Sequence, residues 1–210
     1  MSQISYWNNY YLERSSHLYP SQFAAFIANE FKSCGSFVDL GCGNGRDTFF
    51  FANFGRRVLG VDGSQIAISR CQEFAAELGK VDVNFEVLNF NDTDACKKFS
   101  ISCKGQWENS VFYSQFFLHA IDEDAEYNFF STVKSIMGEE GVLCLEFRTT
   151  RDTDLVKVTN EHYRRYINPA LLLGSLSEFG LKCDYFCEGF GYAKYKNDDA
   201  YVARMIISHD

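Results

Sequence analysis

The 210-residue sequence predicts an α/β fold in which a mostly parallel sheet is covered by helices on both faces. Three observations predict it: short apolar runs alternate with helix-period stretches, a glycine-rich loop joins the first run to the helix after it, and the last two strand-like runs have no helix between them. The alternation demands parallel pairing, because each strand must be carried back across the sheet before the next begins. The final pair, connected directly, is expected to run antiparallel.

The elements follow in order. An aromatic opening with Tyr6, Trp7, Tyr10 and Tyr11 leads through Pro20 and Ser21 into residues 22–31, where Phe23, Phe26, Ile27 and Phe31 recur at helical spacing. Residues 36–40 read as the first strand, the glycine loop follows, and a helix is expected over 47–54, stopped by Gly55. A strand at 57–62, a helix at 64–78 stopped by Gly79 and a strand at 83–88 repeat the unit. Residues 92–99 read as a helix or an irregular segment. Strands at 110–113 and 142–147 flank a helix at 123–137 and the turn 138–141. Runs at 181–187 and 201–207, joined by 189–200, close the chain.

Composition narrows the function. The length favours one domain, 1–210, with 1–33 as an N-terminal helical or lid segment and 34–210 as the core. A net charge of -8 opposes general attraction to nucleic acid, whose binding draws on a basic surface. No apolar run approaches the ~20 residues of a membrane span, and the start lacks the pattern of a signal peptide, so a cytoplasmic protein is expected. The eight cysteines read as reduced core residues rather than a disulfide or zinc framework, and no metal is expected. Oligomeric state is left open.

Gly41, Gly43 and Gly45 lie between a strand and a helix, where missing side chains let the backbone turn and approach a ligand. Asp39 precedes them. A carboxylate there repels a pyrophosphate but pairs with the ammonium of an amino acid. Asp62 ends the second strand, where a carboxylate accepts hydrogen bonds from ribose hydroxyls. Asn89 and Phe90 end the third, placed to meet the edge and face of an adenine.

Residues 38–45, Val-Asp-Leu-Gly-Cys-Gly-Asn-Gly, followed by Val-Leu-Gly-Val-Asp-Gly-Ser at 58–64, resemble the first two motifs of class I S-adenosylmethionine (SAM)-dependent methyltransferases. Tyr113 to His119 is similar to the fourth-strand motif of that family, so the resemblance covers roughly residues 20–210. It implies a Rossmann-like sheet of seven strands, order 3-2-1-4-5-7-6 with strand 7 antiparallel. It also implies SAM as cofactor, S-adenosylhomocysteine as product, and a cofactor set of Asp39, Gly41, Gly43, Asn44, Asp47, Asp62, Gly63, Ser64, Asn89, Phe90, Tyr113 and Tyr11, with the N-terminal aromatics closing over the site. Asn89 stands where many relatives carry Asp, and Gln65 where they carry a small or aliphatic residue.

For the acceptor, His119 after the fourth strand is the candidate base. Glu146 and Arg148 alternate onto one face at the end of the fifth strand and are candidate catalytic and acceptor contacts. Arg148, Arg151, His162, Tyr163, Arg164 and Arg165 form a basic and aromatic group suited to a phosphate or carboxylate. Residues 146–152 and 162–166 resemble a bacterial methyltransferase subgroup associated with surface-glycan or phosphopolyol pathways. The expectation is methyl transfer to an oxygen, and in second place a nitrogen, of a small anionic metabolite or phosphorylated sugar or polyol. Two alternatives stand beside it: an NAD(P)-dependent oxidoreductase and a non-catalytic SAM-binding protein.

Overall fold

The computed structural model describes residues 3–12, 19–155, 163–195 and 197–210. Its elements in chain order are α1 (Gln3–Leu12), α2 (Gln22–Glu30), β1 (Ser36–Leu40), α3 (Arg46–Ala52), β2 (Arg57–Asp62), α4 (Gln65–Glu77), β3 (Val83–Val87), α5 (Thr93–Cys103), β4 (Val111–Gln115), α6 (Glu123–Ile136), β5 (Val142–Arg148), α7 (Pro169–Glu178), β6 (Leu181–Gly189), β7 (Lys194–Tyr195), β8 (Asp198–Asp199) and β9 (Val202–His209). Short 3-10 turns, Leu118–Ala120 and Thr150–Asp152, follow β4 and β5.

Seven strands form one sheet in the order β3-β2-β1-β4-β5-β9-β6. Pairs among β1 to β5 are parallel, whereas β9 runs antiparallel to both β5 and β6. This is the expected Rossmann-like arrangement. The final strand is the ninth because the connection between the last two long strands contains a two-stranded hairpin, β7 with β8.

Alternation along β1 divides the core. Phe37 and Asp39 face one side, Val38 and Leu40 the other. On the first side Phe37 packs with Phe23, Ile27, Phe51, Val58 and Tyr113, beneath α2, α3 and α4; on the second, Val38 and Leu40 join Phe112, Phe129, Phe130 and Leu145 beneath α5 and α6. Within α2, Phe23, Ala24 and Ile27 are fully buried in the first cluster. Cys42, Cys71, Cys96, Cys103 and Cys144 are free thiols buried as core side chains.

Helix starts follow local chemistry. The side chains of Ser21, Ser64, Asp92 and Asp122 each accept a backbone N–H three residues on, at the first turns of α2, α4, α5 and α6. The segment at 92–99 is therefore a helix, continued to Cys103. Sequence reasoning passed over α7, although Asn168 caps it and Pro169 occupies its first turn. No helix among the described residues is long and apolar enough to cross a membrane.

Candidate active site

The carboxyl ends of β1, β2, β4 and β5 lie on one edge of the sheet, and the order reverses between β1 and β4, the place where open α/β sheets take ligands. A cavity of about 690 Å³ opens there, within the range of about 300–1,000 Å³ common for small-molecule sites. One half is built by the glycine loop, the end of β2 and helix α1. The other is built by the segments after β4 and β5, with Arg164 and the β7–β8 hairpin.

In the first half, Gly41 and Gly43 have φ of 80° and 54°, in the left-handed region where a side chain is strained. A methyl group on Gly43 would also overlap the Tyr11 hydroxyl, so α1 lies against the loop. The Gly43 N–H donates to Asp62 Oδ2 at 2.9 Å and the Ser64 N–H to Oδ1 at 2.8 Å. Each Asp62 oxygen keeps lone-pair capacity for a further donor. Burial raises the Asp62 pKa, and the two N–H bonds oppose it. Ser64 Oγ donates to Asn8 Oδ1 at 2.6 Å, and the Arg70 guanidinium donates to the carbonyls of Tyr11 and Leu12, so α1 is tied at three points.

Asp39 is 3% exposed and accepts one hydrogen bond, from Thr48 Oγ1 at 2.6 Å. Burial, with Asp47 nearby, pushes its pKa up to about 8, against the pull of Thr48 and Arg46. Asp47 is saturated: its oxygens accept from the Ser21 N–H, the Tyr113 hydroxyl, and Nε and Nη2 of Arg46. Asp47 and Tyr113 thus join α2, α3 and β4, and Tyr113, stacked on Phe23 with centroids 5.1 Å apart, is a wall of the cavity. Asn44, Gly63 and Asn89 also line it. Phe90 does too, with its ring packed against Phe117 and Phe129 in the core.

In the second half the charges are already matched. Glu146 Oε2 accepts from Arg204 Nε at 2.7 Å and Oε1 from Gln115 Nε2 at 3.1 Å. Arg148 donates through Nη1 to Asp152 at 2.6 Å and through Nη2 to Asp198 at 2.7 Å. Both residues line the cavity, and each is held in a buried ion pair that joins strands and turns. His119 lines the cavity as expected, and its Nδ1 accepts from the Arg148 N–H at 3.4 Å. With Nδ1 accepting that N–H, a neutral ring carries its proton on Nε2.

The basic group is dispersed. Arg164 reaches the cavity, where burial and the adjacent Arg148 lower its pKa. Arg151 pairs with Glu188 and Tyr201, Arg165 with Glu126, and Tyr163 is exposed; none of the three lines the cavity. His162 lies outside the described residues.

A model of the methyltransferase domain matches residues 31–164, well over half the chain. The chain belongs to the methyltransferase domain family. Among solved structures this methyltransferase is similar to a SAM-dependent methyltransferase from Anabaena variabilis, at 18% identity and a TM-score of 0.73, over 98% of this chain and 93% of that one. It is similar also to the CcbJ methyltransferase from Streptomyces caelestis, at 17% identity and 0.72, over 100% and 99%. The glycopeptide N-methyltransferase MtfA, solved with SAM, aligns at 12% identity and 0.67, over 94% and 98%. These likenesses establish the shared fold. No curated protein matches the sequence.

Sequence reasoning missed two polar residues of the cavity. Arg46 directly follows the loop, and its position beside Asp47 was a readable signal. Gln115 accepts from Arg46 Nη2 at 3.2 Å and donates to Glu146, so it bridges the two halves of the cavity. Spacing gave no sign of that bridge, because its partners come from α3 and β5.

Proposed function

We propose that this methyltransferase transfers a methyl group from SAM to an ionised oxygen of a small anionic acceptor. The observation that carries the reading is the charge of the two halves. Around the glycine loop stand three carboxylates, Asp39, Asp47 and Asp62, and one guanidinium, Arg46. That surrounding repels a pyrophosphate and suits a cationic ligand, which sets the nicotinamide alternative aside. Bound there, SAM supplies an electrophilic methyl group on a sulfonium. Asp62 has acceptor capacity for ribose hydroxyls, Asp39 for an ammonium, and the glycines admit the ligand close to the backbone.

In the acceptor half, both carboxylates of the cavity wall are neutralised by arginine, and His119 presents Nε2–H. An oxygen that is already ionised needs no base; it needs donors and a positive field. His119, Arg164 and Lys194 supply them, with Tyr195 and Phe116 as apolar walls. The protein's task is then alignment and exclusion of water. A phosphorylated sugar or polyol is the acceptor class favoured by the resemblance at residues 146–152.

Thermal unfolding with S-adenosylhomocysteine, SAM and NAD tests the first half. A ligand at 100 times its Kd adds about 2.7 kcal/mol, roughly 5–10 °C at this length, and the two adenosyl ligands should produce that shift while NAD should not. Stabilisation by NAD alone would overturn the reading. Methylation of carboxylates and phosphorylated polyols, with neutral alcohols and amines unreactive, is expected of the second half; preference for amines would refute it.

A further inference from the structure

Methyl transfer to an ionised oxygen removes charge as it proceeds. An oxygen lone pair forms the new O–C bond, the C–S bond breaks with its electrons left on sulfur, and the anion and the sulfonium both end neutral. A full cation bonded to the reacting oxygen therefore holds the ground state more firmly than the transition state and slows the step. A cation bonded to a group that keeps its charge does not. In a site for such an acceptor, cations are best placed away from the oxygen that reacts.

The acceptor half offers both kinds of contact. His119 presents a neutral donor, Nε2–H, with Nδ1 engaged by the Arg148 N–H. Arg164 and Lys194 line the same half from other elements, Arg164 from the segment before α7 and Lys194 from β7. Both lie near Asp198, which pairs with Tyr195 in the hairpin, beside Lys194, and is close enough to Arg164 to support its charge. Asp198 is already bonded to Arg148, and the other carboxylate of this half, Glu146, to Arg204. Lys194 comes only within 3.9 Å of Asp199, and its side chain is 64% exposed. Burial and the like charge of Arg148 oppose the Arg164 cation. An anion bound at Arg164 and Lys194 relieves that opposition.

Phe116 joins the two places. Its ring packs on His119 with centroids 5.3 Å apart, and the Arg148 guanidinium lies over it, 5.5 Å from the centroid. A φ of 57° puts this bulky residue in the left-handed region, where it is strained. Glycine would turn there without strain and leave no apolar surface between the donor and the cations.

We propose that the acceptor carries two ionised groups on a short carbon skeleton: one is methylated beside His119, the other keeps its charge at Arg164 and Lys194, and the skeleton lies against Phe116. Its class is that of dicarboxylates and phosphorylated acids. This deepens the reading of a small anionic acceptor and rests on it.

The test is calorimetric titration of the protein loaded with S-adenosylhomocysteine. The probes are the α,ω-dicarboxylates from malonate to adipate, phosphonoacetate, and the monocarboxylates of matching length from propionate to hexanoate, at a pH where every group is ionised. The best two-ended probe should bind roughly tenfold to a hundredfold more tightly than its one-ended counterpart. A lead for phosphonoacetate or for malonate supports the proposal in either case and tells a phosphate from a carboxylate at the retained group. Arg164→Met should bring the two kinds of probe to within about threefold of each other, with affinity for S-adenosylhomocysteine changed less than about twofold. Lys194→Met, at an exposed position, should remove part of the same preference and serves if the first variant does not fold. A preference untouched by these substitutions would overturn the proposal. If neither kind of probe binds, the anionic-acceptor reading fails and this proposal with it; if both kinds bind equally, only this proposal fails.

Discussion

At the scale of single residues, the cavity holds a carboxyl in its neutral form where a cationic ligand is needed. Asp39 keeps a proton to about pH 8 in the folded protein, whereas an unperturbed Asp releases it near pH 3.9. The folded state therefore binds the extra proton between those values, and stability falls as pH rises from about 4 to about 8. Asp39→Asn, which can still accept from Thr48, should flatten that decline and melt higher than the parent at pH 8.5, by roughly 4–8 °C for about 2 kcal/mol, while losing affinity for S-adenosylhomocysteine. Parallel melting profiles for the two proteins from pH 5 to 8.5 would remove this account. His119 has a different test. As a donor through Nε2 it should be replaced in part by the amide of His119→Gln, with His119→Ala some tenfold slower; a base role predicts that both lose turnover equally.

At the scale of elements, α1 lies against the glycine loop through attachments that are few and identifiable. Asn8 holds Ser64, Tyr11 lies on Gly43, and Arg70 caps the last carbonyls of α1 from α4. The ring pairs Trp7–Tyr10 and Trp7–Tyr11 stiffen its inner face. Asn8→Ala combined with Arg70→Ala should speed ligand dissociation about tenfold or more, read by stopped-flow fluorescence of Trp7, while the melting temperature of the ligand-free protein moves little. A large fall in melting temperature without a change in dissociation would make α1 part of the core instead. The strand-loop-helix unit at 36–54 was legible in the sequence. The ties of α1 were not legible, because Asn8 and Ser64 meet only after four intervening elements have folded.

At the scale of the whole molecule, the sheet order was readable because alternation and one direct strand-to-strand connection admit few topologies. The glycine-loop half of the cavity was readable for the same reason: its residues sit at strand ends, and a parallel sheet brings strand ends to one edge. The acceptor half was not. Asp198 and Arg204 come from the hairpin and β9, some 50 residues after the Arg148 and Glu146 they neutralise, and periodicity carries no record of such pairing. The Glu146–Arg204 bridge joins β5 to the antiparallel β9, so Glu146→Ala strands a buried guanidinium and should destabilise the fold by about 3 kcal/mol, against less than about 1 kcal/mol for a surface residue such as Glu77→Ala, by chemical denaturation. The same sheet ends on β6, whose outer edge no described strand covers and which carries the exposed side chains of Tyr185 and Phe186. Its register breaks between Cys183 and Tyr185, and the exposed residue at the break is Asp184. A twisted edge bearing a charge is a poor template for another chain's strand, so the irregularity in β6 guards the protein against sheet-to-sheet aggregation at the one border its topology leaves open on that side.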